Sequence, residues 1–273
     1  MTATTIPAPA ATRPIAHRRG PGLAGTVSQS FTMAYRALIR IRRRPEQWVD
    51  VVLQPILFTV MFAYLFGGAI AGGVEAYLPA LIPGILVQSV ISTSIVTGTQ
   101  LREDMDTGVF DRFRSLPIAR IAPLAGALLT DTIRYAIATA LTFLVGFIIG
   151  WRPAGGWGIL VAGLLVIVTA WAISWVWALL GVTARTAGTV QGVGMMILFP
   201  LTFLSNAYVP TNTLPAWLEW FANANPISHL VTAIRELANE ATIGADFWWT
   251  LLGAAVFVAV FAPLTVRAYM RKA

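Results

Sequence analysis

Apolar residues along the chain gather into uncharged runs of membrane-crossing length, separated by short polar segments. A helix needs about 20 predominantly apolar residues to cross a hydrocarbon core about 30 Å thick. The runs predict six transmembrane helices over residues 49–68, 78–99, 133–150, 157–184, 188–209 and 247–266. Asp50 stands at the edge of the first. Asp131 and Arg134 stand near the start of the third, leaving room for an earlier helical start as a cytoplasmic extension.

Two segments between the runs carry helical periodicity of a different kind. In residues 26–47, Phe31, Tyr35, Leu38 and Ile39 fall on one face, and Arg36, Arg40, Arg42, Arg43 and Arg44 accompany them. Such a basic amphipathic helix lies in the membrane interface, where each basic residue near anionic lipid contributes about 1 kcal/mol. It acts as a topogenic lipid anchor, with or without contact to a partner protein. In residues 101–123, the acids Glu103, Asp104, Asp106 and Asp111 alternate with Arg102, Arg112, Arg114 and Arg120. Val109, Phe110, Phe113 and Leu116 recur there at helical spacing, and Gly108 and Pro117 punctuate the segment. Composition alone reads it as a solvated loop; the apolar side also suits docking.

Composition sharpens the class. The chain of 273 residues is 57% hydrophobic and 11% charged, against about 45–50% and about 25% in a soluble domain. The expected fold is all-α and polytopic, with residues 48–268 as one membrane domain and 269–273 as a cytoplasmic end. Residues 1–25, rich in Ala, Pro, Thr and Gly without an apolar h-region, read as a disordered cytoplasmic tail rather than a signal peptide. With no cysteine, disulfides, thiol catalysis and thiolate metal sites are excluded.

The net charge of +7 does not point to nucleic acid, because the basic residues flank apolar spans instead of sharing a soluble face. They do set a topology. Arg and Lys cluster before the first span, between the second and third, at Arg185 and at the C-terminus, leaving only Arg152 and Arg235 on the other side. By the positive-inside rule both termini are cytoplasmic and the protein is a multi-pass plasma-membrane protein.

Candidate chemistry is sparse. His17 and His229 have no further ligands at metal-binding spacing, and no Ser-His-acid arrangement appears; an enzyme is not expected. Asp131 and Arg134, three apart, are placed to pair on one helix face. Gln88, Ser92 and Thr99 lie on one helical stripe of the second run, Gln54, Gln191 and Asn206 are isolated polar groups inside apolar runs, and Trp171 and Trp175 sit four apart in the fourth. These are candidates for a substrate path, although intramembrane polar residues more often bond helix to helix. Gly146 with Gly150, and Gly188 with Gly192, are candidate close-contact pairs for a dimer seam.

The order of motifs resembles the ABC-2-type transporter permeases. In the loop between the second and third helices, Glu103, Gly108, Asp111, Phe113, Leu116 and Pro117 match that family's pattern. The resemblance implies that Arg102, Glu103, Asp104, Gly108, Asp111, Arg112, Phe113, Arg114, Leu116 and Pro117 form a coupling segment seated on an ATPase subunit. Between the fifth and sixth spans, Pro210, Leu214, Pro215, Trp217, Leu218, Asn225, Pro226 and Arg235 match the family's extracytoplasmic helices, so residues 210–246 are expected to form a re-entrant hairpin. Within the superfamily the chain looks most like the drug-resistance permeases of the daunorubicin-exporter type found in actinobacteria.

The resemblance implies a permease that moves a hydrophobic or amphipathic molecule (drug, antibiotic or lipid-like metabolite) out of the cytoplasm or inner leaflet. It further implies two ATPase copies and a second, identical permease copy forming a homodimer as partners, together with membrane lipids. The chain has no GxxxxGK[ST] phosphate loop. ATP and Mg are therefore expected on the partner, and no cofactor in this chain. Two other functions remain open: an ion-gradient-driven secondary transporter, which usually shows internal repeats and midplane charges, and a membrane assembly subunit that transports nothing.

Overall fold

The computed structural model describes residues 32, 46–108, 121–208 and 215–272. All regular elements among them are α-helices: α1 (Glu46–Ala71), α2 (Val74–Asp106), α3 (Ala122–Ile149), α4 (Gly158–Thr183), α5 (Ala187–Phe203), α6 (Ala216–Ala224), α7 (Pro226–Glu240) and α8 (Ala245–Lys272). Five of these, α1 to α4 and α8, are long and apolar enough to cross a membrane. The interfacial helix expected over 26–47, with Arg36, Arg40, Arg42, Arg43 and Arg44, lies outside the described residues apart from Thr32 and the first two residues of α1.

The run over 188–209 behaves differently from the expected fifth span. Its helix, α5, has 17 residues, about 25 Å at 1.5 Å per residue, short of a core of about 30 Å. Past Phe203 the chain turns: Leu204 N–H donates to Pro200 O at 2.8 Å, and Ala207 abuts Gly84 of α2. That close approach uses the last residues of the run as a packed turn.

Elsewhere the helices outrun the uncharged stretches. α2 has 33 residues, about 50 Å, and continues unbroken through Arg102, Glu103 and Asp104 to Asp106. It stops at Gly108, whose φ of +68° suits a residue without Cβ. The expected loop over 101–123 thus begins as helix. α3 starts at Ala122, with Pro123 in its first turn. α8 runs to Lys272, so the expected tail 269–273 is mostly its last turn, and Tyr269 is buried against Leu101 and Leu124.

α2 is the central element. It packs against α1, α3, α4, α5 and α7, and is buried over most of its length. Apolar burial does not drive helices together in a bilayer as it does in water, so close backbone approach carries the packing. Glycine permits it at three crossings: Gly84 on Ala207, Gly98 on Trp177 and Gly181, and Gly155 and Gly158 on Leu237. Gly146 packs inside the same bundle against Ile82 and Trp151, and Gly150 is the left-handed cap of α3 with φ 119°. Around Gly192 there is open space.

Candidate functional site

A cleft of about 610 Å³ opens between α1, α2 and α5, with α3 at its foot. α2 supplies one wall through Gln88, Ser92, Val96, Thr99 and Glu103, which follow at three- and four-residue steps, with Thr93 and Gln100 beside them. α5 supplies the facing stripe Gln191, Met195, Phe199 and Phe203, each four residues on, and α1 adds Gln54 and Phe58. One wall is therefore amide and hydroxyl, the other aromatic and thioether. Gln88 is only 8% exposed, and its Oε1 has no hydrogen-bond donor. Buried acceptors are nearly always satisfied, so an unpaired one beside the cleft is unusual.

Arg134 closes the foot. Its Nη1 donates to Asp131 Oδ1 at 2.8 Å and its Nη2 to Gln100 Oε1 at 3.0 Å. Thr97 Oγ1 donates to Asp131 Oδ2 at 2.6 Å and lies 3.3 Å from the Tyr135 hydroxyl. The ion pair is nearly inaccessible, with side chains 6% and 4% exposed. An unpaired charge at this depth costs several kcal/mol, so the pairing neutralises the foot, as the three-residue spacing led one to expect. Gln100 and Thr97 escaped notice in the sequence because their role depends on the α2–α3 crossing. Met195, Phe199 and Phe203 were missed too, although their four-residue repeat with Gln191 is a signal that the sequence carries.

The other candidate path residues are not gathered here. Trp171 and Trp175 meet edge to face, ring centroids 5.8 Å apart, against the cluster that α4 forms with α2, α3 and α8. Thr265 of α8 donates to the Trp175 carbonyl at 3.0 Å. Asn206 binds inward, Nδ2 donating to Thr232 Oγ1 at 2.8 Å. Gln54, Gln88, Ser92, Thr99 and Gln191 share the cleft, whereas Trp171, Trp175 and Asn206 do not line it.

Beyond α5 the short helices α6 and α7 meet at Asn225. Its side chain accepts from Ile227 N–H and donates to Leu201 O at 2.6 Å, so one residue caps α7 and satisfies the end of α5. Pro226 follows in the first turn of α7, and Pro215 precedes α6. Trp217 is exposed, while Arg235 Nη2 donates to Ala80 O at 3.2 Å and Asn206 O at 3.1 Å. Pro210 and Leu214 lie outside the described residues. At the end of α7, burial, then Asp246 and Glu240, push the Glu236 carboxyl above the usual carboxylate range.

Of the expected coupling segment, Arg102, Glu103, Asp104 and Gly108 are described, whereas Asp111, Arg112, Phe113, Arg114, Leu116 and Pro117 are not. Arg102 Nη1 donates to Ala184 O at 3.0 Å, setting a cation at the C-terminus of α4, and its Nη2 contacts Asp106. Among the described residues no group of three or more His, Asp or Glu is placed to hold a metal ion.

Comparison with known proteins agrees with this architecture. Residues 28–238 match the ABC-2 type transporter family. The chain is 44% identical over 253 residues to a daunorubicin resistance ABC transporter permease protein of Streptomyces coeruleorubidus, covering 92% of this chain and 89% of that one. It is 25% identical over 163 residues to a probable doxorubicin resistance ABC transporter permease protein of Mycobacterium tuberculosis, covering 55% and 54%. A second doxorubicin resistance permease of that organism is 28% identical over 158 residues, covering 57% and 54%. The chain belongs to the ABC-2 type transporter family, as a membrane permease related to the daunorubicin-resistance exporter permeases of actinobacteria.

Proposed function

We propose that this permease exports an amphipathic, mainly apolar molecule through the cleft between α1, α2 and α5, driven by ATP hydrolysis on a separate ATPase subunit. The observation that carries the reading is the pairing of walls. Gln54, Gln88, Ser92 and Gln191 offer neutral hydrogen-bonding groups, while Phe58, Met195, Phe199 and Phe203 offer apolar contact. Such a surface suits a molecule with one greasy and one polar face. A wide hydrated ion path would be lined by polar groups all round.

The ATPase, in two copies with ATP and Mg, seats on the loop containing Asp111, Arg112, Phe113, Arg114, Leu116 and Pro117. Closure of the two ATPases moves that loop, and α2 carries the motion directly into the cleft wall through Arg102, Glu103 and Asp104. A second copy of the permease faces the first across α1 and α5. Exposed Leu57, Met61, Met195 and Phe199, and the open space at Gly192, support that seam. The charge asymmetry supports cytoplasmic termini, six crossings with α5 as the short fifth, and a 210–246 hairpin on the outer side. Arg36, Arg40, Arg42, Arg43 and Arg44 anchor the N-terminal segment to the inner leaflet.

The test is reconstitution of the permease with its co-purifying ATPase in sealed vesicles carrying a fluorescent amphiphile. ATP-dependent movement is expected, weakened by Gln88→Leu and uncoupled from hydrolysis by charge reversal at Asp111, Arg112 and Arg114. Transport that survives ATP depletion but collapses with an ion gradient would overturn the reading. Normal ATPase assembly with no movement of any amphiphile would leave an assembly subunit instead.

A further inference from the structure

A second depression lies on another side of the bundle. It has α4 as floor, α5 and α8 as walls and α7 as its end, with a volume of about 240 Å³. Trp177, Leu201, Trp249, Ala254 and Phe257 make it almost wholly apolar. α8 is the least covered of the long helices, and Trp248, Trp249, Leu252, Val256 and Val260 are exposed along it. In a membrane protein, what lies against that face is lipid.

Two further observations define what fills it. At the α7 end, His229 contacts Asp246, and Asp246 and Glu240 lie within electrostatic reach of Glu236. The nearby cation, Arg235, points inward to backbone carbonyls. The polar end is thus acidic. From Asp246 to Phe257 the helix rises about 16 Å at 1.5 Å per residue, close to half of a core about 30 Å thick. The groove therefore spans one leaflet, from an acidic interfacial end marked by two tryptophans to the midplane. Thr250 adds a polar group on the way: its hydroxyl is buried, lines the groove and has no hydrogen-bond partner, unlike that of Thr265 on the same helix.

We propose that this groove is a specific lipid site, holding one acyl chain of a phospholipid whose headgroup bears a primary ammonium facing Asp246. The acidic end selects an amine headgroup over an anionic one, and the length selects a single-leaflet chain. The site is separate from the transport cleft and does not depend on what the cleft carries.

The test uses the full chain in vesicles containing a phosphatidylethanolamine with a photoreactive diazirine in its acyl chain. Labelling is expected on the peptides around residues 173–177 and 249–257. Excess unlabelled phosphatidylethanolamine should displace it, and excess phosphatidylglycerol should not, a readout that needs no variant. Gly253 borders the groove with open space around it, so Gly253→Phe should lower labelling about tenfold, equivalent to about 1.4 kcal/mol, whereas Gly253→Ala should not. Labelling spread evenly over α1 and α8, or displaced equally by both lipids, would overturn the proposal. So would a disulfide-linked pair of chains formed by Gly253→Cys, which would make the occupant a second copy.

Discussion

Gly98 and Gly181 touch backbone to backbone where α2 crosses α4: a Cβ on Gly181 would stand 2.3 Å from the Gly98 carbonyl oxygen. A Cβ on Gly98 would meet the Trp177 carbonyl at the same 2.3 Å. Both neighbours are backbone, so neither yields by a rotamer change. Gly181→Ala or Gly98→Ala should push the helices apart and destabilise the folded chain by about 1–3 kcal/mol, read as a lower unfolding temperature in detergent. Gly192→Ala, with open space around the added methyl, should leave that temperature unchanged. Equal effects at Gly181 and Gly192 would contradict the crossing.

The Asp131–Arg134 pair predicts a non-additive mutation series. Arg134→Met strands a buried carboxylate and Asp131→Leu strands a buried guanidinium, each costing about 3–5 kcal/mol. The double variant removes both charges and should be far closer to wild type than the sum of the singles. Additive losses in a double-mutant cycle would mean that the pair is not coupled.

Asn239 answers a defect that proline makes. Pro83 has no N–H, so the Pro79 carbonyl of α2 loses its helical donor, and Asn239 Nδ2 of α7 supplies one at 3.0 Å. Asn239→Ala should cost about 0.5–1.5 kcal/mol in a thermal unfolding assay. In a Pro83→Ala background the helix satisfies Pro79 itself, and the same substitution should cost much less.

Glu236 sets a pH dependence. Its carboxyl is held above the usual carboxylate range, first by burial and then by Asp246 and Glu240. A folded-state value above the unfolded one means that the native form binds the proton more tightly. Its contribution is fully present below the unfolded value and is lost as pH rises through the folded one. The wild type should therefore lose stability relative to Glu236→Gln as pH increases across and just above the carboxylate range. A difference between the two that is flat with pH would refute this.

Much of this protein follows from its sequence alone. Length and polarity of a run decide whether a helix crosses a bilayer, because unsatisfied backbone there is too costly to leave, and five long helices match five of the six runs. Local rules also sufficed for the Asp131–Arg134 pair, since both residues lie within one turn. The helix ends were less legible: α2 and α3 carry charged residues beyond the apolar stretch, where hydropathy no longer marks a boundary.

Tertiary structure decided the rest. Hydropathy treats every residue of 188–209 alike, but the contact of Ala207 with Gly84 and the bonds of Asn225 to Leu201 and Arg235 to Asn206 turn the end of that run into a clamp. Gln54, Gln88 and Ser92 form one cleft while Trp171, Trp175 and Asn206 face elsewhere, a division no spacing within a single helix can reveal. Sequence fixes which face of a helix a side chain occupies. Only the crossing of helices decides what that face meets, and at Gly98 and Gly181 the crossing depends on two missing methyl groups far apart in the chain.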